Sequence, residues 1–254
     1  MDFGDLNSWM LVFLRASGLM AVFPIISGKN VPIRIRVMLT VLFSFLIHPS
    51  LPAVNLGDVP FLGLMGLFTR EILVGLAIGF FSRLLFFGLE IAGVVIAFQM
   101  GLQVSNSINP VSETQTQTPG TILHYLGALI FLSLDLHHWT LMGFYRSFEL
   151  VPFGTAEIPE GLLHHVVSRT GDLFNLALLL AAPTLAVALI ITFIFAILGR
   201  AVPQMNVFGE SFAVRTLAGL GVFGLTISLM ARHIITFLNT LPNDLETVIQ
   251  FLAG

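Results

Sequence analysis

QMGLQVSNSINPVSETQTQTPG, from Gln99 to Gly120, divides two strongly apolar halves of the chain. Ser105, Asn106, Ser107, Asn109, Ser112, Thr114 and Gln115 bring hydroxyls and amides, Ile108 and Val111 stand between them, and Glu113 is the one charge. Pro110 and Pro119 lack the N–H that a helix interior uses and clash with the preceding turn, so no helix is expected to run through. An ordinary exposed loop is richer in Lys, Asp and Glu. Uncharged polar side chains suit the lining or the plug of a pore, because they exchange hydrogen bonds without the desolvation cost of a charge. A plain connecting loop is the other reading of the same residues.

Outward from this break the composition sets the class. The chain has 254 residues, of which 56% are hydrophobic and 10% charged. Its mean hydropathy is +0.95. A soluble domain carries about 25% charged residues, so this chain reads as all-α and membrane-associated, a single integral-membrane-type domain over residues 1–254. A net charge of −3 gives no basis for binding nucleic acid. The absence of Cys removes disulfides, thiol catalysis and cysteine metal sites. The start, MDFGDLNSW, is acidic where a signal peptide would be basic, so no cleavable signal is expected.

Upstream of the break, residues Phe61 to Leu102 form an apolar run far longer than one span. It is expected as one bent helix or two helices. Gly75 and Gly79 lie one helical turn apart in it, a spacing that lets two backbones approach. Earlier come an apolar segment from Trp9 to Ile26, a basic cluster of Lys29, Arg34 and Arg36, and a short segment from Val37 to Leu51. Downstream, Thr121 to Met142 is expected as a segment, Leu162 to Arg169 as a short interfacial helix, and Leu173 to Leu198 as a span kinked at Pro183. A second polar break, GRAVPQMNVFGES, precedes a last apolar run from Phe212 to Leu238 and a mildly amphipathic tail. The total is about six apolar segments. Lys and Arg distribution places the N-terminus outside and the Lys29–Arg36 and Arg200 loops inside.

Charges within apolar runs are functional or structural partners by default. Arg83 and Glu90 are expected as buried charges at helix or subunit contacts, whereas Arg15, Arg70 and Arg232, near segment ends, can snorkel. His137–His138 and His164–His165 are expected as interfacial histidines and not as metal ligands, because adjacent helical side chains point about 100° apart. No metal, cofactor or catalytic residue is assigned, since no HExxH, G-x-S-x-G or P-loop occurs. An enzyme is not expected.

At the second break, GRAVPQMNVF, Gly199 to Phe208, together with the preceding span, resembles the FliR family of the bacterial flagellar protein-export gate. The order also matches: a glycine-punctuated run ending at Gly101–Gln103, the NPVSETQT loop, HYLGALIFLSLDLHHW, a connector, a span and the RAVPQMNVF break. The resemblance covers essentially the whole chain. It implies a subunit of helical hairpins packed with FliP-like and FliQ-like subunits in a multi-subunit ring, near FlhB-like and FlhA-like components. It further implies a place in the bacterial inner membrane at the flagellar basal body, where unfolded proteins leave the cytoplasm. By the same resemblance, Ser105 to Gln115 would plug the closed pore. Arg200, Pro203, Gln204, Asn206 and Phe208 would form an assembly or gating motif. The injectisome SctT family shares the architecture, and a small-solute transporter or channel is the other reading of the composition; it would predict inverted repeats.

Overall fold

The computed structural model describes residues 3–28, 31–54, 59–102, 118–202, 204 and 206–254, without the side chains of residues 3–5 and 208. Every long element among them is an α-helix. In chain order these are α1 (Phe3–Val22), α2 (Ile33–Ile47), a 3-10 turn (His48–Ser50), α3 (Phe61–Gln99), α4 (Thr118–Ser133), α5 (Leu136–Leu150), α6 (Glu160–Ala201), α7 (Val207–Leu238) and α8 (Leu241–Ala253).

The all-α expectation holds, and of the two forms expected for the long upstream run the structure has the single helix, Phe61 to Gln99, 39 residues. Two other boundaries differ. The expected segment from Thr121 to Met142 breaks at Leu134–Asp135 into α4 and α5, bent by 66°. Leu162–Arg169 and Leu173–Leu198 are one 42-residue helix, which passes through Pro183 without ending. Polar SRTGD between them suggests a loop in the sequence, but Gly171 meets nothing within 4 Å and the backbone simply continues helical.

Four of the described helical stretches are long and apolar enough to cross a membrane, or five if the bent pair counts as one. The expected sixth is α1, whose apolar part, Leu6–Val22, is shorter. At about 1.5 Å per residue, a helix as long as α6 reaches roughly twice the ~30 Å of a bilayer's hydrocarbon core.

Contacts divide the chain into two compact units. The first takes Met1–Leu84, Phe131–Thr170 and Leu238–Gly254. Its core is built on a glycine crossing of α1 and α3. A Cβ on Gly75 would lie 1.9 Å from the Arg15 carbonyl oxygen, and one on Gly18 would lie 2.4 Å from that of Ile72. Only hydrogen fits at either position, so the two backbones touch, as the Gly75–Gly79 spacing predicts. Leu11, Val12, Ala16 and Leu19 of α1 are buried. The C-terminal tail forms α8, whose Leu241, Leu245, Val248, Ile249 and Leu252 recur at helical spacing and are buried. Leu245 and Ile249 pack over Gly143 of α5, and the Asp244 carboxylate accepts from Arg169 Nε at 2.9 Å.

The second unit takes Leu85–Ile130 and Gly171–Phe237. Glycines again set its closest approaches. Gly93 of α3 meets Gly120 of α4, where a Cβ on Gly93 would lie 2.2 Å from the Gly120 Cα. Gly127 faces Leu89, and Gly88 faces Leu173 of α6.

Candidate functional site

The expected plug residues Ser105, Asn106, Ser107, Ile108, Asn109, Pro110, Val111, Ser112, Glu113, Thr114 and Gln115 lie outside the described residues. What the structure does describe is how the segment is held at each end. At its start, α3 ends in a Schellman motif: the Leu102 N–H donates to the Ala97 carbonyl at 3.0 Å and the Gly101 N–H to that of Phe98 at 3.0 Å. Gly101 has φ +75°, and the Phe212 ring occupies the space a Cβ would need, 2.7 Å away. A side chain is thus refused on both conformational and steric grounds.

One face of α7 grips this end. Phe212 covers Gly101, the Thr216 hydroxyl donates to the Met100 carbonyl at 2.8 Å, and Gly219 receives the Met100 side chain. These three α7 positions recur at helical spacing. At its other end the segment rejoins the described chain in α4, whose Gly120 presses on Gly93. Gly93 and Gly101 are separated by roughly 12 Å of helix at about 1.5 Å per residue. A polar segment whose extended reach, at about 3.3 Å per residue, is several times that distance leaves and returns beside the last two turns of α3.

The second break is described in part. α6 ends at Ala201 with Arg200 exposed in its last turn, where the helix dipole favours a cation. Asn206 caps α7: its side-chain oxygen accepts from the Gly209 N–H at 3.3 Å. Gln204 is exposed, and Pro203 and the Phe208 side chain lie outside the described residues. Sequence reading singled out Asn206 by motif; the signal it missed is the S/T/D/N-type cap opening a helical run.

The charges separate in a way the sequence does not show. Arg83 is half-buried and donates to the Ser27 hydroxyl at 3.1 Å. Glu90 is exposed on α3. The buried ion pair is elsewhere. Arg15, expected to snorkel, is fully buried, and its Nε donates to Glu71 Oε2 at 2.7 Å. Its Nη1 donates to the Ser147 carbonyl at 2.8 Å and its Nη2 to that of Val151 at 3.1 Å. The guanidinium carbon lies 4.2 Å over the Phe148 ring. Glu71 Oε1 accepts from the Gly154 N–H at 2.9 Å, while neighbouring Arg70 donates to the Gly154 carbonyl at 2.8 Å. Gly154 has φ +75°. Arg15 and Glu71 thereby join α1, α3, the end of α5 and the 151–154 turn. Each charged atom is hydrogen-bonded, which makes such burial tolerable. Arg70 and Arg232 are exposed.

The histidines also divide. His164 is exposed and His165 is half-buried, stacked on Phe81 at 5.3 Å. His137 and His138 lie side by side, ring centroids 4.0 Å apart, next to Asp135.

A family model described as bacterial export proteins, family 1, matches residues 6–241. The Flagellar biosynthetic protein FliR of Escherichia coli (strain K12) is 27% identical over 249 residues, covering 97% of this chain and 94% of that protein. The protein of the same description from Bacillus subtilis (strain 168) is 27% identical, covering 97% and 95%. That of Aquifex aeolicus (strain VF5) is 30% identical, covering 87% of this chain and 85% of that protein.

Proposed function

We propose, from the premise that this chain belongs to the family of bacterial export proteins, family 1, that it is the pore-forming structural subunit of a flagellar protein-export gate. As a flagellar export component with several membrane-length apolar helices, it would assemble as one gate domain, residues 1–254, with FliP-like and FliQ-like subunits. It would sit in the bacterial inner membrane at the basal body, beside FlhB-like and FlhA-like components, and pass unfolded flagellar proteins outward. The gate needs no reaction of its own, and no cofactor is assigned to it. Ser105 to Gln115 is the plug, and the Arg200–Phe208 motif is an assembly or gating element.

The pinned ends of the polar segment carry this reading. Polar residues with a single charge, Glu113, hung from Gly101 and Gly120 beside one helix end suit a closure better than a spacer. The outer faces agree. Ile33 and Met38 of α2 are 74% and 73% exposed, and Leu217 and Leu225 of α7 are 73% and 86% exposed. Apolar faces this bare need lipid or neighbouring helices. The flagellar description of the relatives favours the flagellar gate over the injectisome one.

The test is co-expression with the FliP-like and FliQ-like proteins of the same organism, followed by detergent purification. A stable complex containing all three is expected. A monodisperse monomer that ignores both partners overturns the proposal.

A further inference from the structure

We propose that Asp135, His137 and His138, at the break between α4 and α5, form a binding site for a divalent transition-metal ion of the zinc class. Each residue offers one ligand atom, and these atoms all lie within 4.8 Å of one another. Sequence reasoning dismissed the histidine pair because neighbouring helical side chains diverge. Here both sit in the first turn of α5, and their rings are in contact, with centroids 4.0 Å apart and planes 37° apart.

Asp135 itself is held oddly. It is the one non-glycine residue with positive φ among the described residues, at φ 54°. Asp enters that region more readily than most residues with a Cβ. An Asp preceding a helix ordinarily caps it with its carboxylate. This one makes no side-chain cap bond. Its backbone carbonyl takes the His138 N–H at 2.9 Å, and its carboxylate stands 3.4 Å from His138 Nδ1. His137 Nδ1 is buried and has no hydrogen-bond partner among the described residues. An ion held by these three residues would give that nitrogen a partner.

The donor set selects the metal. Imidazoles favour zinc, copper or nickel over calcium and magnesium, which take oxygen. Two His and one carboxylate suit zinc, with the remaining position left to water or a further donor. Metal–ligand bonds of about 2.0–2.2 Å put two donors of a tetrahedral ion roughly 3.4 Å apart. Asp135 and His138 side chains are 71% and 70% exposed, so rotamer adjustment closes that gap without moving backbone. The carboxylate also offsets the positive N-terminal end of α5, which alone would disfavour a cation. Occupied, the site ties the break residue to the first turn of α5.

The experiment uses the full chain purified in detergent with a tag that contains no histidine. Zinc is titrated calorimetrically, and cobalt is titrated as a spectroscopic substitute. The wild-type chain is expected to bind one ion, with cobalt giving visible bands of a low-coordinate site. The double variant His137→Gln, His138→Gln should bind about tenfold or more weakly. Asp135→Asn should also bind more weakly; Asn tolerates the left-handed conformation, so its circular dichroism should match wild type and loss of binding cannot be ascribed to misfolding. His164→Gln should bind as wild type does, and excess magnesium should not compete. Equal zinc binding by wild type and the double variant, loss of binding in His164→Gln, or displacement by magnesium overturns the site.

Discussion

Arg15 is the residue on which the first unit most depends. Its guanidinium is fully buried against Glu71 and three carbonyl or hydroxyl acceptors of the α5 end. Arg15→Met leaves the Glu71 carboxylate buried without its partner, a change that costs about 3–5 kcal/mol in comparable buried pairs. The expected outcome is a large fall in thermal stability and in yield of the detergent-purified chain. Pairing it with Glu71→Leu removes the stranded charge and should recover part of the loss. A single variant as stable as wild type would show the pair to be dispensable. The sequence reveals that Arg15 sits in an apolar run, but not that Glu71, 56 positions on, meets it. Only the glycine crossing beside them brings the two together, and periodicity does not specify which faces cross.

At the scale of the element, glycines decide which helices touch. Gly75→Leu has no room, because the obstacle at 1.9 Å is the Arg15 backbone carbonyl, which cannot rotate away. It should abolish accumulation of folded protein, measured by membrane yield. Gly66, with nothing within 4 Å and an exposed position, is the control. Gly66→Ala should be neutral or stabilising by about 0.5–1 kcal/mol, the helix-propensity gain. The Gly75–Gly79 spacing made the crossing legible beforehand. The continuity of α6 was not legible, because SRTGD and Pro183 are locally helix-breaking signals. A proline costs about 3 kcal/mol in a helix interior, which a 42-residue helix with Leu176, Ala177, Leu180, Ala181, Ala188 and Ile191 buried absorbs. The α4–α5 break was missed for the opposite reason: SLDLHHW carries no Gly or Pro, and a left-handed Asp leaves little trace in composition. At the α6–α7 break, Pro203→Ala should weaken assembly with the FliP-like and FliQ-like partners or reduce export, read by co-purification and motility. No change in either assay would make the break a plain connector.

At the scale of the whole molecule, composition is enough to expect an all-α, membrane-type chain, and the GRAVPQMNVF motif, supported by the order of the segments around it, is enough to suggest its family. Two discontinuous units were not visible in the sequence, because each is assembled from separated pieces of chain. The proposed plug, Ser105 to Gln115, is the feature on which the export-gate proposal turns. Its side chains, neutral except for Glu113, would hold a pore shut through packing and hydrogen bonds of about 0.5–1.5 kcal/mol each, weak enough for a partner to open. Removing Ser107 to Gln115 while keeping the Gly101 and Gly120 anchors should leave the gate assembled but unsealed. The measurement is ion conductance or small-solute permeability of cells expressing the full gate, at equal protein levels. The deletion should leak while wild type stays tight; a deletion that assembles normally and is no leakier than wild type would contradict the pore-closing role.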